Sequence, residues 1–357
     1  MKYSTFKFYL TQLCLIVLIF PLFARADSPP TFNKIVIFGD SLTDNGNLFL
    51  HDAGILPKSP PYFNGRFSNG DVWTDSLDLY FQAKRHIVSE NYALGGETVI
   101  YHSPIEGFVP YTLSASVQGY LFSAYFQDKS HVLYIIWIGA NDYVEGATDL
   151  DQLSTNVVNQ ISDTIQHLID LGAENFLVIN LPDVAATPYG RIQEKREVLA
   201  TLTRLHNKKL SSAILKFQRD HKNLIIHEFD MNHFFVELME KPDTYNKQFN
   251  VNITDTQSSC WNGGYTLHAL AIRPEEVNIP FANGRVDFDR DQLAALISKV
   301  PDLAVVYRAM ESYSLGLIAC ENPDEFVFWD HVHPTRVVHK IISNLIIDYI
   351  NQYYHAQ

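Results

Sequence analysis

Cysteine is nearly absent from this chain. There are three in 357 residues, and one of them, Cys14, lies in the N-terminal stretch. Two cysteines without nearby histidine pairs make no zinc-ligand pattern. Positive charge is short as well. Lys and Arg number 27 against 40 Asp and Glu, a formal net charge of -13, which makes the chain a poor partner for nucleic acid or for electrostatic adhesion to anionic lipid. Long apolar runs are missing but for one, Leu13 to Phe23, too short to span a bilayer and interrupted by Pro21. Internal repeats, low-complexity tracts and an interdomain linker are missing too. The reading is therefore one domain, and with 46% hydrophobic residues it can bury a sizeable core.

The single apolar run has a use. Lys2 and Lys7 precede it and Ala24-Arg25-Ala26 follows. A charged n-region, a short h-region and an Ala-x-Ala signal make residues 1–26 a signal peptide. The mature chain, 27–357, is then exported, to the periplasm or beyond the cell. Cys14 sits inside the h-region rather than after it, which argues against a lipoprotein anchor. An exported chain left with Cys260 and Cys320 most simply pairs them, with two separate thiols as the alternative. A bond would close a polar insertion at about 260–320, and by chain-entropy reckoning such closure contributes roughly 4 kcal/mol.

The rest alternates strand and helix. Ile35 to Phe38 is four consecutive apolar residues, a fully buried strand. Leu56 to Asp75 is rich in Pro, Gly and Asn and reads as a long ordered loop leading into a helix around Val72–Phe81. Asn91 to Thr98 is a strand end opening into a tight turn at Gly95-Gly96. His131–Ile138 is the clearest strand. Leu150–Leu171 has helical spacing of Leu153, Val157, Ile161, Ile165 and Leu168, with Gly172 as its stop. A strand follows at Asn175–Leu181, then a long helix over Glu194–His221 and a strand at Leu224–Phe229. Residues 250–322 break the rhythm. The tail supplies Glu325–Trp329, the run Asp330-His331-Val332-His333-Pro334-Thr335, and a helix over Val337–Tyr353, with Pro334 suited to its first turn. This alternation predicts a parallel sheet with helices on both faces.

Within that frame Ser41 follows the first buried strand, where open α/β sheets bind their ligands. Alone, Gly39-Asp40-Ser41-Leu42 reads equally well as a helix cap. A free hydroxyl is a poor nucleophile and needs a base. Asp330 and His333 stand three residues apart at a strand-to-helix junction, so the carboxylate can orient the ring, fix its tautomer and stabilise the imidazolium. Alone, that pair is also what a solvated turn looks like. Gly95-Gly96 and Asn141 each follow a predicted buried strand, as Ser41 does. All should emerge on one edge of the sheet, where backbone N–H groups and the Asn141 amide could receive an oxyanion. Such a donor is worth about 3 kcal/mol in a transition state.

Gly39-Asp40-Ser41-Leu42, the Asn91–Thr98 block, Gly139-Ala140-Asn141-Asp142 and Asp330-x-x-His333 occur in the order of the four blocks of the GDSL, or SGNH, hydrolases, which the chain resembles over nearly all of 27–357. Within that family, Ser59-Pro60-Pro61-Tyr62 with Gly65-Arg66-Phe67-Ser68-Asn69-Gly70, Cys260-Trp261-Asn262-Gly263-Gly264-Tyr265 and Phe328-Trp329-Asp330-His331-Val332-His333-Pro334-Thr335 resemble the bacterial glycerophospholipid–cholesterol acyltransferases and related secreted phospholipases A and lysophospholipases A. The resemblance implies a three-layer α/β/α sandwich around a central parallel sheet. It implies Ser41 as nucleophile, His333 as base, Asp330 as its orienting acid, and an oxyanion hole from Ser41, Gly96 and Asn141. The choice of Gly96 over Gly95 rests on matching Gly96-Glu97-Thr98 to the family pattern. It implies a phospholipid or lysophospholipid substrate met at a membrane lipid interface, release of a fatty acid or transfer of the acyl group to cholesterol, and no metal or organic cofactor. Relatives carry a disulfide-bounded loop whose nicking raises activity. Here Arg273, Arg285, Arg290, Lys299 and Arg308 lie between the cysteines, so an activating protease is an expected partner. Two other readings stand beside this one: an acetyl-esterase acting on glycans, and a non-catalytic surface-binding protein on the same scaffold.

Overall fold

The computed structural model describes residues 32–102, 111–144, 147–192, 196–263 and 319–354. The proposed signal peptide, the five basic residues between the cysteines and the start of the helix predicted from Glu194 lie outside them. Five strands form one parallel sheet: β1 (Lys34–Gly39), β2 (Val88–Asn91), β3 (Val132–Trp137), β4 (Asn175–Ile179) and β5 (Ile225–Phe229), in the order β2-β1-β3-β4-β5. Every residue of β3 and β4, and all of β1 but Lys34, is buried. Strands covered on both faces need continuous rather than alternating hydrophobicity, which is why these segments are the most legible in the sequence.

Between them run α1 (Asn47–His51), α2 (Trp73–Arg85), α3 (Leu113–Ser123), α4 (Leu150–Asp170), α5 (Pro188–Ile192), α6 (Arg196–Asp220), α7 (Met231–Glu240) and α8 (Pro242–Phe249), and α9 (Arg336–Tyr353) closes the order. Right-handed crossovers put α3, α4 and α6 on one face and α2 on the other. α9 packs beside α2, while α4 packs against both α3 and α6. This is the expected three-layer sandwich. α4 shows why the helices form where they do. Its buried stripe is Val157, Ile161, Ile165 and Leu168, and Asp149 caps its start by accepting from the Gln152 N–H at 2.9 Å.

Five of these helices escape the sequence reading. α3 carries three serines and a glycine in its 11 residues and lacks a marked apolar stripe, and α1, α5, α7 and α8 are short. The closing helix also begins later than Pro334. That proline instead bridges back to Phe328, and Thr335 donates its N–H to the Val327 carbonyl at 2.9 Å, so Arg336 is the first helical residue. A second, two-stranded parallel sheet pairs β6 (Asp255–Ser259) with β7 (Phe326–Phe328). Its pairing continues as Cys260 N–H to Phe328 O at 3.0 Å and Trp261 N–H to Trp329 O at 2.7 Å. Cys260 and Cys320 are bonded, with Cα atoms 5.0 Å apart.

The order of the main sheet reverses between β1 and β3. Chain leaves β1 for β2 on one side and β3 for β4 on the other, which opens a crevice at their C-terminal ends. Ser41 and Asn141 follow these two strands. Gly39 lies in register with Trp137, and a Cβ there would come within 2.7 Å of the Trp137 carbonyl oxygen and 2.8 Å of Thr43 Cβ. Gly39→Ala should therefore force the turn outward and cost about 1–3 kcal/mol in urea unfolding. A variant as stable as the parent would contradict this close approach.

Candidate active site

Ser41 is held in a tight turn. The Asp40 carbonyl accepts from the Thr43 and Asp44 N–H groups, each at 2.9 Å, and the Asp40 carboxyl accepts from Leu42 N–H at 3.0 Å. Asp44 then ties this turn to its surroundings. One carboxyl oxygen accepts from Gly46 N–H at 2.8 Å and Asn47 N–H at 2.6 Å, the other from Leu48 N–H at 3.1 Å and Gly95 N–H at 2.8 Å. It thus satisfies donors at the start of α1 and fixes the loop that follows β2.

On the opposite side, β7 ends at Phe328 and the chain doubles back. Trp329 N–H donates to the His333 carbonyl at 2.7 Å, and inside this turn Asp330 meets His333. Asp330 Oδ1 accepts from Val332 N–H at 2.8 Å and His333 N–H at 2.7 Å, and its Oδ2 lies 2.7 Å from His333 Nδ1. An ionised carboxylate can only accept, so Nδ1 carries the proton and Nε2 is left as acceptor. Nε2 lies 2.8 Å from Ser41 Oγ. The three side chains, drawn from positions 41, 330 and 333, form one buried hydrogen-bonded row. Burial pushes the Asp330 carboxyl up, but the charge and hydrogen bonds of His333 and the Tyr62 hydroxyl bring it below the usual carboxylate range. Phe67 lies over the His333 ring, centroids 5.1 Å apart.

The loops after β2 and β3 bring the remaining predicted residues to this row. Gly95 gives its N–H to Asp44 and has no room for a side chain, since a Cβ would sit 2.2 Å from the Phe67 ring. Gly96 has φ +77, the left-handed region glycine tolerates, and its N–H and that of Ser41 donate to no described residue. Of the two glycines, Gly96 is thus the one with a donor to offer. The Asn141 amide gives one N–H to the Glu97 carbonyl at 2.9 Å, which fixes the side chain and leaves the second N–H. Asp142 clasps the same loop through Val99 N–H at 2.9 Å and Ile100 N–H at 3.0 Å. Beside Ser41, Asn141 and His333 opens a mostly apolar cleft walled by Leu42, Val144, Val184, Phe235, Met239 and Val332.

Sequence reasoning did not assign Asp44, Glu97, Asp142, Tyr62 or Phe67 a role. Asp44 carried a signal, an acid just ahead of Asn45-Gly46 and a helix start; the others act through contacts from distant segments. Among the described residues no group of His, Cys, Asp and Glu is arranged to hold a metal ion, and no helix is long and apolar enough to cross a membrane.

Comparison with known proteins places the chain in a family. The family described as GDSL-like Lipase/Acylhydrolase matches residues 35–346. The chain is 30% identical over 344 residues to the phosphatidylcholine-sterol acyltransferase of Aeromonas hydrophila, covering 96% of this chain and 97% of that one. It is 27% identical over 326 residues to the secreted effector protein SseJ of Salmonella typhimurium, where it spans 91% of itself but only 65% of the relative. Among solved structures, a possible lipase from Chitinophaga pinensis aligns with 89% of this chain and 98% of its own, at 12% identity and a TM-score of 0.39.

Burial raises the Asp40 carboxyl to about 7 from an ordinary 3.8, opposed by the Leu42 N–H and His333. In the folded protein this group binds a proton that the unfolded chain has released, so its contribution to stability is present at low pH. That contribution is lost as pH rises from about 4 through 7. Asp40→Asn, neutral throughout, should gain on the wild type in urea unfolding between pH 5 and pH 8, by an amount on the order of 4 kcal/mol at most. A difference that stays flat over this window would refute the buried titration.

Proposed function

We propose a function from a settled premise: the chain belongs to the GDSL-like lipase/acylhydrolase family. That family membership supports ester hydrolysis or acyl transfer through a serine. The finer reading is that this protein cleaves fatty-acyl esters of phospholipids or lysophospholipids and can hand the acyl group to a sterol such as cholesterol in place of water.

The observation that carries the lipid reading is the apolar cleft continuous with Ser41 and His333. It runs across the C-terminal edge of the sheet from the end of β1, past β3 and β4, to Phe235 and Met239 of α7, which follows β5. With strands about 4.8 Å apart, that is a span of roughly 14 Å. An acetyl group would leave nearly all of this wall uncovered, whereas each methylene buried there contributes about 0.8 kcal/mol. The name of the Aeromonas relative, a phosphatidylcholine-sterol acyltransferase, supports the same substrate class and acceptor.

On this reading the steps are as follows. Ser41 Oγ attacks the ester carbonyl while His333 Nε2 takes its proton, and Asp330 stabilises the imidazolium. The oxyanion is received by the N–H groups of Ser41 and Gly96 and the second N–H of the Asn141 amide. His333 then protonates the departing alcohol, leaving an acyl-Ser41 ester. Water or a sterol hydroxyl attacks this ester, activated by the same histidine. Residues 1–26 act as the export signal on this reading, and the segment closed by Cys260–Cys320 is where a protease would act.

The test is product analysis with labelled phosphatidylcholine and lysophosphatidylcholine, with and without cholesterol. Fatty acid should be released by the wild type and not by Ser41→Ala. Cholesteryl ester should appear when the sterol is added. Asn141→Ala should lower kcat by roughly 10²- to 10³-fold with the fold retained by circular dichroism. Turnover of acetylated sugars with none of either lipid would overturn the lipid reading in favour of glycans.

A further inference from the structure

The acid of the row has one more partner than the chemistry requires. Tyr62 is 1% exposed and donates its hydroxyl to Asp330 Oδ2, the oxygen that also faces His333 Nδ1. The other oxygen, Oδ1, takes the Val332 and His333 N–H groups. All four lone-pair sites of the carboxylate are therefore filled. The two Oδ1 donors and His333 belong to the same tight turn as Asp330. Tyr62 alone among these four donors reaches it from elsewhere, across 268 positions of sequence.

The ring itself is fixed by packing. It meets Phe67 edge-on at 5.7 Å and Trp261 edge-on at 5.3 Å. Phe67 lies over His333, and Trp261 follows the bonded Cys260 and stacks on Trp329, the residue before Asp330. A phenylalanine would fill this apolar nest as well. A hydroxyl buried within it needs an acceptor, and it donates to the carboxylate that orients the base.

Resting on the serine mechanism above, we propose that Tyr62 is a positioning residue of the catalytic row. It pins the Asp330 carboxylate to the body of the protein and draws off part of the negative charge on the oxygen that faces His333. Two consequences follow from one hydrogen bond. Pinning keeps His333 aimed at Ser41. Sharing Oδ2 weakens the pull of Asp330 on a second ring proton, an effect that a pH profile of the variant reads. Besides Asp330, the titratable groups facing His333 are Asp40 in the β1 turn and His339 on α9. Neither of these is altered by a change at position 62.

The test uses the full chain and a fluorophosphonate probe that labels an activated serine whatever its natural substrate. Labelling rate is followed from pH 5 to pH 9, with thermal melting as a check on the fold. Tyr62→Phe keeps the ring and its packing. It should lower the plateau rate roughly two- to tenfold, the range one hydrogen bond spans, and move the acid limb of the profile to higher pH. A tyrosine of the same shape but with a more acidic hydroxyl, 3-fluorotyrosine at position 62, should move that limb to lower pH. Shifts in opposite directions are not what a packing role would give. Plateau and limb both unchanged in Tyr62→Phe would overturn the assignment while leaving the serine mechanism in place. If the wild type itself were not labelled at Ser41, as judged against Ser41→Ala, the mechanism and the assignment would fall together.

Discussion

One buried carboxylate holds the two halves of the proposed oxyanion site in register. Asp44 accepts four backbone N–H groups, three at the start of α1 and one from Gly95. Burial raises it to about 6 against the pull of those bonds, so at neutral pH the group remains largely an anion whose acceptor capacity is fully used. The consequence for the site is selective. By consuming the Gly95 N–H, Asp44 settles which of two adjacent glycines has a donor to offer a ligand, and Gly96 beside it takes the left-handed backbone. A turn that looks like a pair of interchangeable glycines is resolved by an acid fifty-one positions away.

The same device recurs on the other side of Ser41. Asp330 also accepts four hydrogen bonds, and it too links a local turn to a distant segment. The difference lies in the donors. Asp44 meets only backbone, so its loops are rigid and its role is structural. Asp330 meets a histidine and a phenol, so its charge is shared among groups that can respond to a proton. Buried carboxylates are costly unless every acceptor site is filled. The fold fills them with backbone alone at Asp44, and with backbone and side chains together at Asp330.

Most of the scaffold is readable before folding because the parallel sheet demands it. Strands covered on both faces must be apolar throughout, and β1, β3 and β4 announce themselves in that way; α4 does so by its stripe and its Gly172 stop. Ser41, Asn141 and the Asp330–His333 pair are visible as polar residues placed just past strands, or in one compact run. What the sequence conceals is whatever depends on contact across the chain. Tyr62 sits in a Pro-rich loop that looks like a connector. Its partner is 268 residues away, and no local pattern specifies such pairing. α3 hides for the opposite reason: its helix is dictated by packing against β1 and α4 more than by its own residues. Pro334 misleads because a proline suits a helix start in general, while here the backbone of 333–335 is claimed by β7 and Trp329.

The charge of the molecule bears on how a lipid would be held. Asp40, Asp44, Glu97 and Asp142 are all buried near Ser41, and burial raises Glu97 well above its ordinary range. A cleft lined, among the described residues, by no Lys or Arg, in a chain of net charge -13, has little with which to attract an anionic headgroup. Affinity on the proposed reading must then come from the acyl chain along the cleft wall. Such contacts lie away from the reacting carbon and are made equally in ground and transition states, so they lower KM without by themselves raising kcat. Their value to the rate is positional. A chain threaded from α7 towards β1 presents its ester carbonyl at the end of the cleft, where the Gly96 and Asn141 donors and the Ser41 hydroxyl converge. On the proposed reading the apolar wall and the polar edge thus divide the task, one selecting the substrate and the other spending its binding energy on orientation.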